Sequence, residues 1–258
     1  MSSLQGQTAF VTGAGTGIGR AIAIDFAEAG AKVIICGRRA GPLDETVQLI
    51  TEAGGAASAV TCDLTDPDAI EQCARELLAA HGTIDILVNN AGFSSKIRSA
   101  RFVGAKEWRD VMDVNTMGPV VLTKALLPAM IEQGRGDVVM ISSMAAVNAS
   151  IMAGAAYSAA KVAARAYMNV LAQEVRPYGV RCITIFPGEV DTPILDNRAL
   201  PPDVATRARM MLPEDISAAV MMAVSLPRRA MVSELAIAAT DPRDMSADVA
   251  AAKTKQEI

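Results

Sequence analysis

Histidine is almost missing from this 258-residue chain: His81 stands alone. With that one imidazole read as a helix-end residue, Ser-His-Asp triads and histidine-based metal sites lose their central residue. His81 follows the apolar-periodic Leu77-Leu78-Ala79-Ala80 and precedes Gly82, a pattern that predicts a cation at a helix C-terminus. Aromatics are scarce too, at 3% of residues, which excludes extended ring-stacking surfaces and favours an aliphatic pocket. The cysteines Cys36, Cys62, Cys73 and Cys182 form no CxxC pair, so neither a disulfide framework nor a zinc site is expected, and the thiols should simply pack. An excess of one charge is lacking: 24 basic against 28 acidic residues leave a net −4, without the basic field of a nucleic-acid binder or the charge excess of a disordered chain. No apolar run approaches the roughly 20 residues that cross a bilayer, and Met1 to Gln7 has no apolar stretch behind a basic start. Cytoplasmic residence, without membrane or nucleic-acid partners, is the expectation. Small-molecule chemistry is what these absences leave.

What is present is core. A hydrophobic content of 51% over 258 residues suffices for one α/β domain covering the whole chain. Short β-branched or apolar runs recur at Thr8 to Val11, Lys32 to Cys36, Ala57 to Thr61, Ile84 to Asn89, Asp137 to Ser142 and Arg181 to Phe186, with helical patterns between them. That alternation predicts a mostly parallel sheet covered by helices on both faces, with ligands beyond the carboxyl ends of the strands. Helices are expected over Ile18 to Ala29, closed by Gly30, and over Pro67 to Ala80, opened by Asp66 as N-cap with proline at N1. Two segments break the rhythm. Gly188 to Pro213 carries four prolines and no clear strand, the pattern of a lid or binding loop. The tail from about Asp241 to Ile258 is polar and alanine-rich, and reads equally as frayed or as an oligomer contact.

Directly after the first strand comes Thr12-Gly13-Ala14-Gly15-Thr16-Gly17-Ile18-Gly19-Arg20, leading into a helix. Glycines at such a turn let backbone amides approach a pyrophosphate and aim the helix N-terminus at it. The spacing is GxxxGxG, from Gly13, Gly17 and Gly19. About 20 residues on, NAD-binding folds place an acid on the ribose 2′-hydroxyl, whereas an arginine suits a 2′-phosphate. This chain reads Cys36-Gly37-Arg38-Arg39, so NADP is favoured over NAD.

Together with that turn, Cys62-Asp63-Leu64, Asn89-Asn90-Ala91-Gly92, Asn115, Ser142-Ser143, Tyr157 with Lys161, and Pro187-Gly188 followed by Thr192 make the chain resemble the one-domain short-chain dehydrogenase/reductase family from about Gln7 to Ile237. The resemblance implies a Rossmann-type doubly wound sandwich of about seven strands. It implies that Gly13, Gly15, Thr16, Gly17, Ile18 and Gly19 hold the dinucleotide, that Asp63 and Leu64 meet the adenine, and that Asn89, Ala91 and Gly92 shape the pocket. Pro187, Gly188, Val190 and Thr192 would hold the nicotinamide carboxamide, Asn115 would support a water path to Lys161, and Lys161 would hydrogen-bond the ribose hydroxyls.

Tyr157 and Lys161 lie four apart on one helix face. A phenol titrates near pH 10, and a neighbouring ammonium favours phenolate, so Tyr157 is expected to exchange a proton with an alcohol or carbonyl during hydride transfer. A serine hydroxyl would share the developing negative charge. The family's serine normally falls thirteen residues before the tyrosine, where this chain has Met144; Ser143, one place earlier, is taken as catalytic, ahead of Ser142. The ending Val232 to Ile237 followed by Thr240-Asp241-Pro242 resembles relatives acting on 3-hydroxy acids and related β-hydroxy or keto compounds. The rival reading is a catalytically silent NAD(P) sensor on the same fold; an epimerase or dehydratase would be longer. The substrate pocket is expected from Phe93 to Ile97, Ala145 to Ala155 and Gly188 to Pro213. There Arg198, Arg207 and Arg209 stand either as a carboxylate site or as solvated lid charges. The helices around Asn115 to Met130 and Ala155 to Val175 are small-residue-rich, which fits a homodimer or homotetramer as well as packing on the sheet.

Overall fold

The computed structural model describes residues 4–255; the first three residues, and the last three of the tail, lie outside it. Seven strands, β1 (Thr8–Thr12), β2 (Lys32–Gly37), β3 (Ala56–Thr61), β4 (Ile86–Asn89), β5 (Gly136–Ile141), β6 (Val180–Pro187) and β7 (Glu234–Ile237), form one sheet in the order β3-β2-β1-β4-β5-β6-β7, every pair parallel. The longer helices are α1 (Gly17–Glu28), α2 (Ala40–Glu52), α3 (Pro67–His81), α4 (Ala105–Met112), α5 (Gly118–Glu132), α6 (Ala155–Val175), α8 (Pro213–Ser225) and α9 (Ser246–Ala252), with a single turn α7 (Val204–Arg207) between α6 and α8.

The central strands are apolar on both faces because both faces are covered. In β1, Ala9 and Val11 enter one core with Ile22 and Phe26 of α1 and Val220 of α8, while Phe10 enters the other with Ile70 of α3, Leu126 of α5 and Met168 of α6. The same alternation continues in β4, where Ile86 and Val88 oppose Leu87, and in β5, where Val139 and Ile141 oppose Val138 and Met140. At the other end of the strands, Asp137 pairs in register with Arg181 of β6, and the two side chains join at 2.6 Å in a buried ion pair that Arg228 also reaches.

The predicted punctuation is borne out. Asp66 caps α3 by accepting from the amides of Asp68 and Ala69 at 3.0 and 3.2 Å, and Gly82 ends it in the left-handed region. Asp66→Ala should therefore cost about 1 kcal/mol, read in a thermal melt as a drop of roughly 2–4 °C for a domain of this size. His81 does end α3, but there partial burial and the Lys32 ammonium, 3.3 Å from its ring nitrogen, push its pKa down. The continuous helical run 105–132 is long and apolar enough to cross a membrane by length and composition, which the sequence reading did not anticipate, yet Leu122, Leu126 and Met130 are spent in the core. Among the described residues the tail is tied down. Arg243 bonds Glu189 and Asp248, so α9 is pinned across the 188–213 segment, a tie invisible in sequence because its partner lies 54 residues away.

Candidate active site

Because all seven strands run the same way, their carboxyl ends share one edge, and the residues just past them line one cleft of about 770 Å³: Gly13, Gly37, Cys62, Asn90, Ser142, Gly188 and Ala238. The order reverses between β1 and β4, the switch point at which parallel sheets open a crevice.

The glycine turn occupies that point. Gly13 and Gly17 are left-handed, at φ +65° and +55°. A Cβ on Gly13 would stand 2.8 Å from Ala91 Cα, and one on Gly19 would stand 2.5 Å from both Asn90 Nδ2 and the Gly13 carbonyl. Asn90 Nδ2 donates to the Thr12 and Gly13 carbonyls at 2.9 and 3.2 Å, and Thr12 Oγ1 accepts from the Asn90 and Ala91 amides. Neither brace was assigned from sequence; both follow once β1 and β4 are known to be neighbours. No acid occupies the first turn of α1, so its N-terminal amides face the cleft without an internal anion. Gly15, Thr16, Gly17 and Ile18 line the cleft, whereas Gly19 serves the packing behind it.

Arg38 and Arg39 are exposed on the cleft rim, Arg39 as N-cap of α2, and neither has an ion pair among the described residues. Asp63 and Leu64 lie opposite. The Asp63 carboxyl is held low mainly by the Thr65 amide, with the Arg38 charge adding to it. Beside them three thiols meet that share no motif in sequence. Cys36 is the penultimate residue of β2, Cys62 follows β3, and Cys73 comes from α3; the neighbouring Cys36 and Cys73 thiols hold the Cys62 pKa well below the ordinary value. All four cysteines are free and buried.

Ser143, Tyr157 and Lys161 converge at the cleft floor. Ser143 lines the cleft, its Oγ accepting from the Ala145 amide at 3.1 Å and its hydroxyl acting to lower the Tyr157 phenol, while Ser142 Oγ turns away to the Lys161 carbonyl at 3.5 Å. Lys161 Nζ lies 5.5 Å from the Tyr157 ring centroid and donates to the Ile141 carbonyl at 3.0 Å. Burial pushes the ammonium down to about 8. The expected lowering of the phenol by Lys161 is corrected: burial raises Tyr157 above its ordinary value, partly opposed by the Ser143 hydrogen bond and the Arg98 and Arg198 charges. Asn115 sits in a π-turn, Asp113–Met117, between α4 and α5, with its amide donating to the Phe93 and Val111 carbonyls. It does not line the cleft, but its buried Oδ1 has no partner and faces the Gly92 backbone, where a Cβ would stand 2.6 Å away. Asn89 points inward to Thr123.

Across the cleft, Pro187, Gly188, Val190 and Thr192 form the opposite wall; Gly188 donates to Ile237, and Thr192 Cγ2 would stand 3.2 Å from a Cβ on Gly17. The 188–213 segment holds a short 3₁₀ turn, Pro193–Asn197, and α7, with one bridge between Val190 and Met211. Its arginines are paired: Arg198 with Glu189, Arg207 with Asp191 and Asp196, Arg209 with Asp241. Arg98, which nothing in the run Phe93 to Arg101 distinguishes from Lys96 or Arg101, lines the cleft as a buried cation.

The donor set fits a dinucleotide: a glycine cradle that any Cβ would fill, an anion-free helix N-terminus, an unpartnered Asn115 oxygen, and cations at the adenosine end. Residues 7–202 match the short chain dehydrogenase family. Over 195 residues the chain is 38% identical to dehydrogenase/reductase SDR family member 7B of Rattus norvegicus, covering 73% of this chain and 59% of that protein, so it spans less than two thirds of that relative's length. A metagenomic short-chain oxidoreductase solved in complex with NADP is 36% identical, with 92% of this chain and 98% of that one covered, at a TM-score of 0.80. The closed form of serine dehydrogenase complexed with NADP+ is 31% identical, with 90% and 94% covered, at a TM-score of 0.81.

Proposed function

The chain belongs to the short-chain dehydrogenase/reductase family, and from that premise we propose that it is an NADP(H)-dependent oxidoreductase working on a small alcohol or carbonyl, with β-hydroxy and β-keto compounds the first to try. The observation that carries this reading is the convergence of Ser143, Tyr157 and Lys161 on the cleft that the glycine turn opens, with Lys161 against the tyrosine ring. When bound, the nicotinamide supplies or accepts the hydride. Tyr157 takes the alcohol proton or returns it to the carbonyl oxygen, and the Ser143 hydroxyl orients that oxygen and shares its developing charge. Lys161 holds a positive charge under the site and, with the amides of residues 13–19, binds the cofactor; Asn115 braces the wall between Gly92 and Lys161. Pro187, Gly188, Val190 and Thr192 receive the carboxamide end. A homodimer or homotetramer would use the apolar side chains that remain exposed on this side of the sheet, Met117, Val162 and Val170.

The preference for NADP rests on Arg38 and Arg39, exposed cations without internal partners where an NAD-binding strand end would carry an acid. The NADP-bound relatives point the same way. Following the reduced-cofactor absorbance over alcohol and carbonyl panels tests the function; binding of cofactor without turnover of any panel member would reassign the cleft to sensing. Arg38→Ala should weaken NADP(H) binding by about tenfold and leave NAD(H) unchanged. Equal losses for both cofactors would reject the assignment.

A further inference from the structure

Arg98 is a charge that the proposed hydride chemistry does not use. It lies between β4 and α4, is 4% exposed, and lines the substrate end of the cleft. Its main chain is clamped to the first turn of α6, the turn that carries Tyr157. The Arg98 carbonyl accepts from the Ala155 amide at 3.2 Å, and Gly154, at φ +87°, packs so closely that a Cβ there would stand 3.0 Å from Arg98 Cδ.

The guanidinium is under-satisfied. Nη1 donates to the Ala153 carbonyl at 2.8 Å, and the buried Nε has no partner. Among the described residues no carboxylate lies within ion-pair distance of it. Glu107 acts on it only from farther off; its Oε1 accepts from the Ser95 hydroxyl and the Ile97 amide, and its buried Oε2 has no hydrogen-bond partner. The other cations at this end are matched: Arg198 meets Glu189 at 2.6 Å, and Arg243 meets Glu189 at 2.9 Å and Asp248 at 2.7 Å. Burial pushes Arg98 down to about 10, with the Arg198 charge adding to the effect. A buried cation with one hydrogen bond is unfavourable unless an anion completes it. Arg98 and Tyr157 line the same cleft, and the Arg98 charge acts on the phenol.

We propose that Arg98 anchors the substrate's carboxylate, making the substrate a small hydroxy acid in one direction and its oxo acid in the other. The uncompensated charge at this end is that of one guanidinium, which suits a monoanion; a phosphate dianion would face the Glu189 carboxylate as well. The inference rests on the hydride-transfer reading of the same cleft, and binding measurements separate the two.

Calorimetry on the NADP+-loaded protein with 3-hydroxypropionate and with its neutral amide tests it directly. The acid should bind about 30-fold more tightly than the amide, and Arg98→Met should erase that preference while leaving NADP+ affinity unchanged. Replacing a buried charge by an apolar chain of similar length is compatible with folding; Arg98→Gln, which keeps a donor for Ala153, carries the test if the methionine variant does not fold. Equal binding of acid and amide by the wild-type protein, a preference that survives in the variants, or stronger competition by inorganic phosphate than by acetate would overturn the assignment. A purely structural Arg98 would lower the melting temperature and weaken acid and amide alike. Turnover of neutral alcohols without acid preference sinks this inference alone, and acid binding through Arg98 without any turnover sinks the proposed function alone.

Discussion

Tyr157→Phe lowers turnover by about 10³-fold while NADP+ still binds with its wild-type affinity. The phenol hydroxyl is the group whose titration Ser143 lowers, and the ring is what Lys161 lies against. Removing the oxygen therefore deletes the proton carrier and leaves the cleft wall in place. The pH dependence follows from the direction of the shift. Burial holds the phenol protonated beyond its ordinary range, so alcohol oxidation, which needs the phenolate, should keep rising with pH well above neutrality. Carbonyl reduction needs the protonated phenol and should hold steady until the same group titrates, then fall. Ser143→Ala removes an interaction that lowers the phenol, so it should move both limbs to higher pH. Stopped-flow rates for the two directions, with cofactor binding followed separately by fluorescence, check this. Near-normal turnover in the phenylalanine variant would remove Tyr157 from the chemistry.

Much of this site is legible in the sequence because its strongest signals are local. Alternating apolar runs specify strands, Gly13 to Gly19 sits at a strand-to-helix junction, and Tyr157 and Lys161 share a face by helix period alone. Ser143, preferred over Ser142 despite the displaced spacing, follows β5 into the cleft, while the Ser142 hydroxyl is given to the Lys161 carbonyl. What the sequence hid depends on distant partners. The direction of the Tyr157 shift differs from the expectation because burial of the phenol outweighs the charges around it, which no spacing rule foretells. The π-turn that aims Asn115 at Gly92 falls inside an otherwise ordinary helical pattern. The three thiols meet only through the register of β2 with β3 and the packing of α3, and Arg98 is distinguished from its basic neighbours by burial alone.

Gly13→Ala should weaken cofactor binding by about 100-fold, far beyond what its effect on folding accounts for. Two costs combine at this position. A side chain at φ +65° costs about 1–2 kcal/mol in backbone strain. The new methyl would also stand 2.8 Å from Ala91 Cα, a backbone atom that cannot swing aside as a side-chain end could. The turn after β1 must then move away from the end of β4, and these two strand ends bear the opposite walls of the cleft. Asn90 loses its bonds to the Thr12 and Gly13 carbonyls in the same movement, so the amides that approach the pyrophosphate lose their support. Gly41→Ala is the matched control: nothing lies within 4 Å of its added carbon, and at the start of α2 it should leave cofactor affinity untouched and stability equal or slightly higher. Titration of NADP+ into both variants, with urea unfolding alongside, separates cradle from scaffold. If Gly13→Ala bound the cofactor as Gly41→Ala does, the close approach of β1 and β4 would be a packing feature and the cradle would have to be sought elsewhere in the cleft.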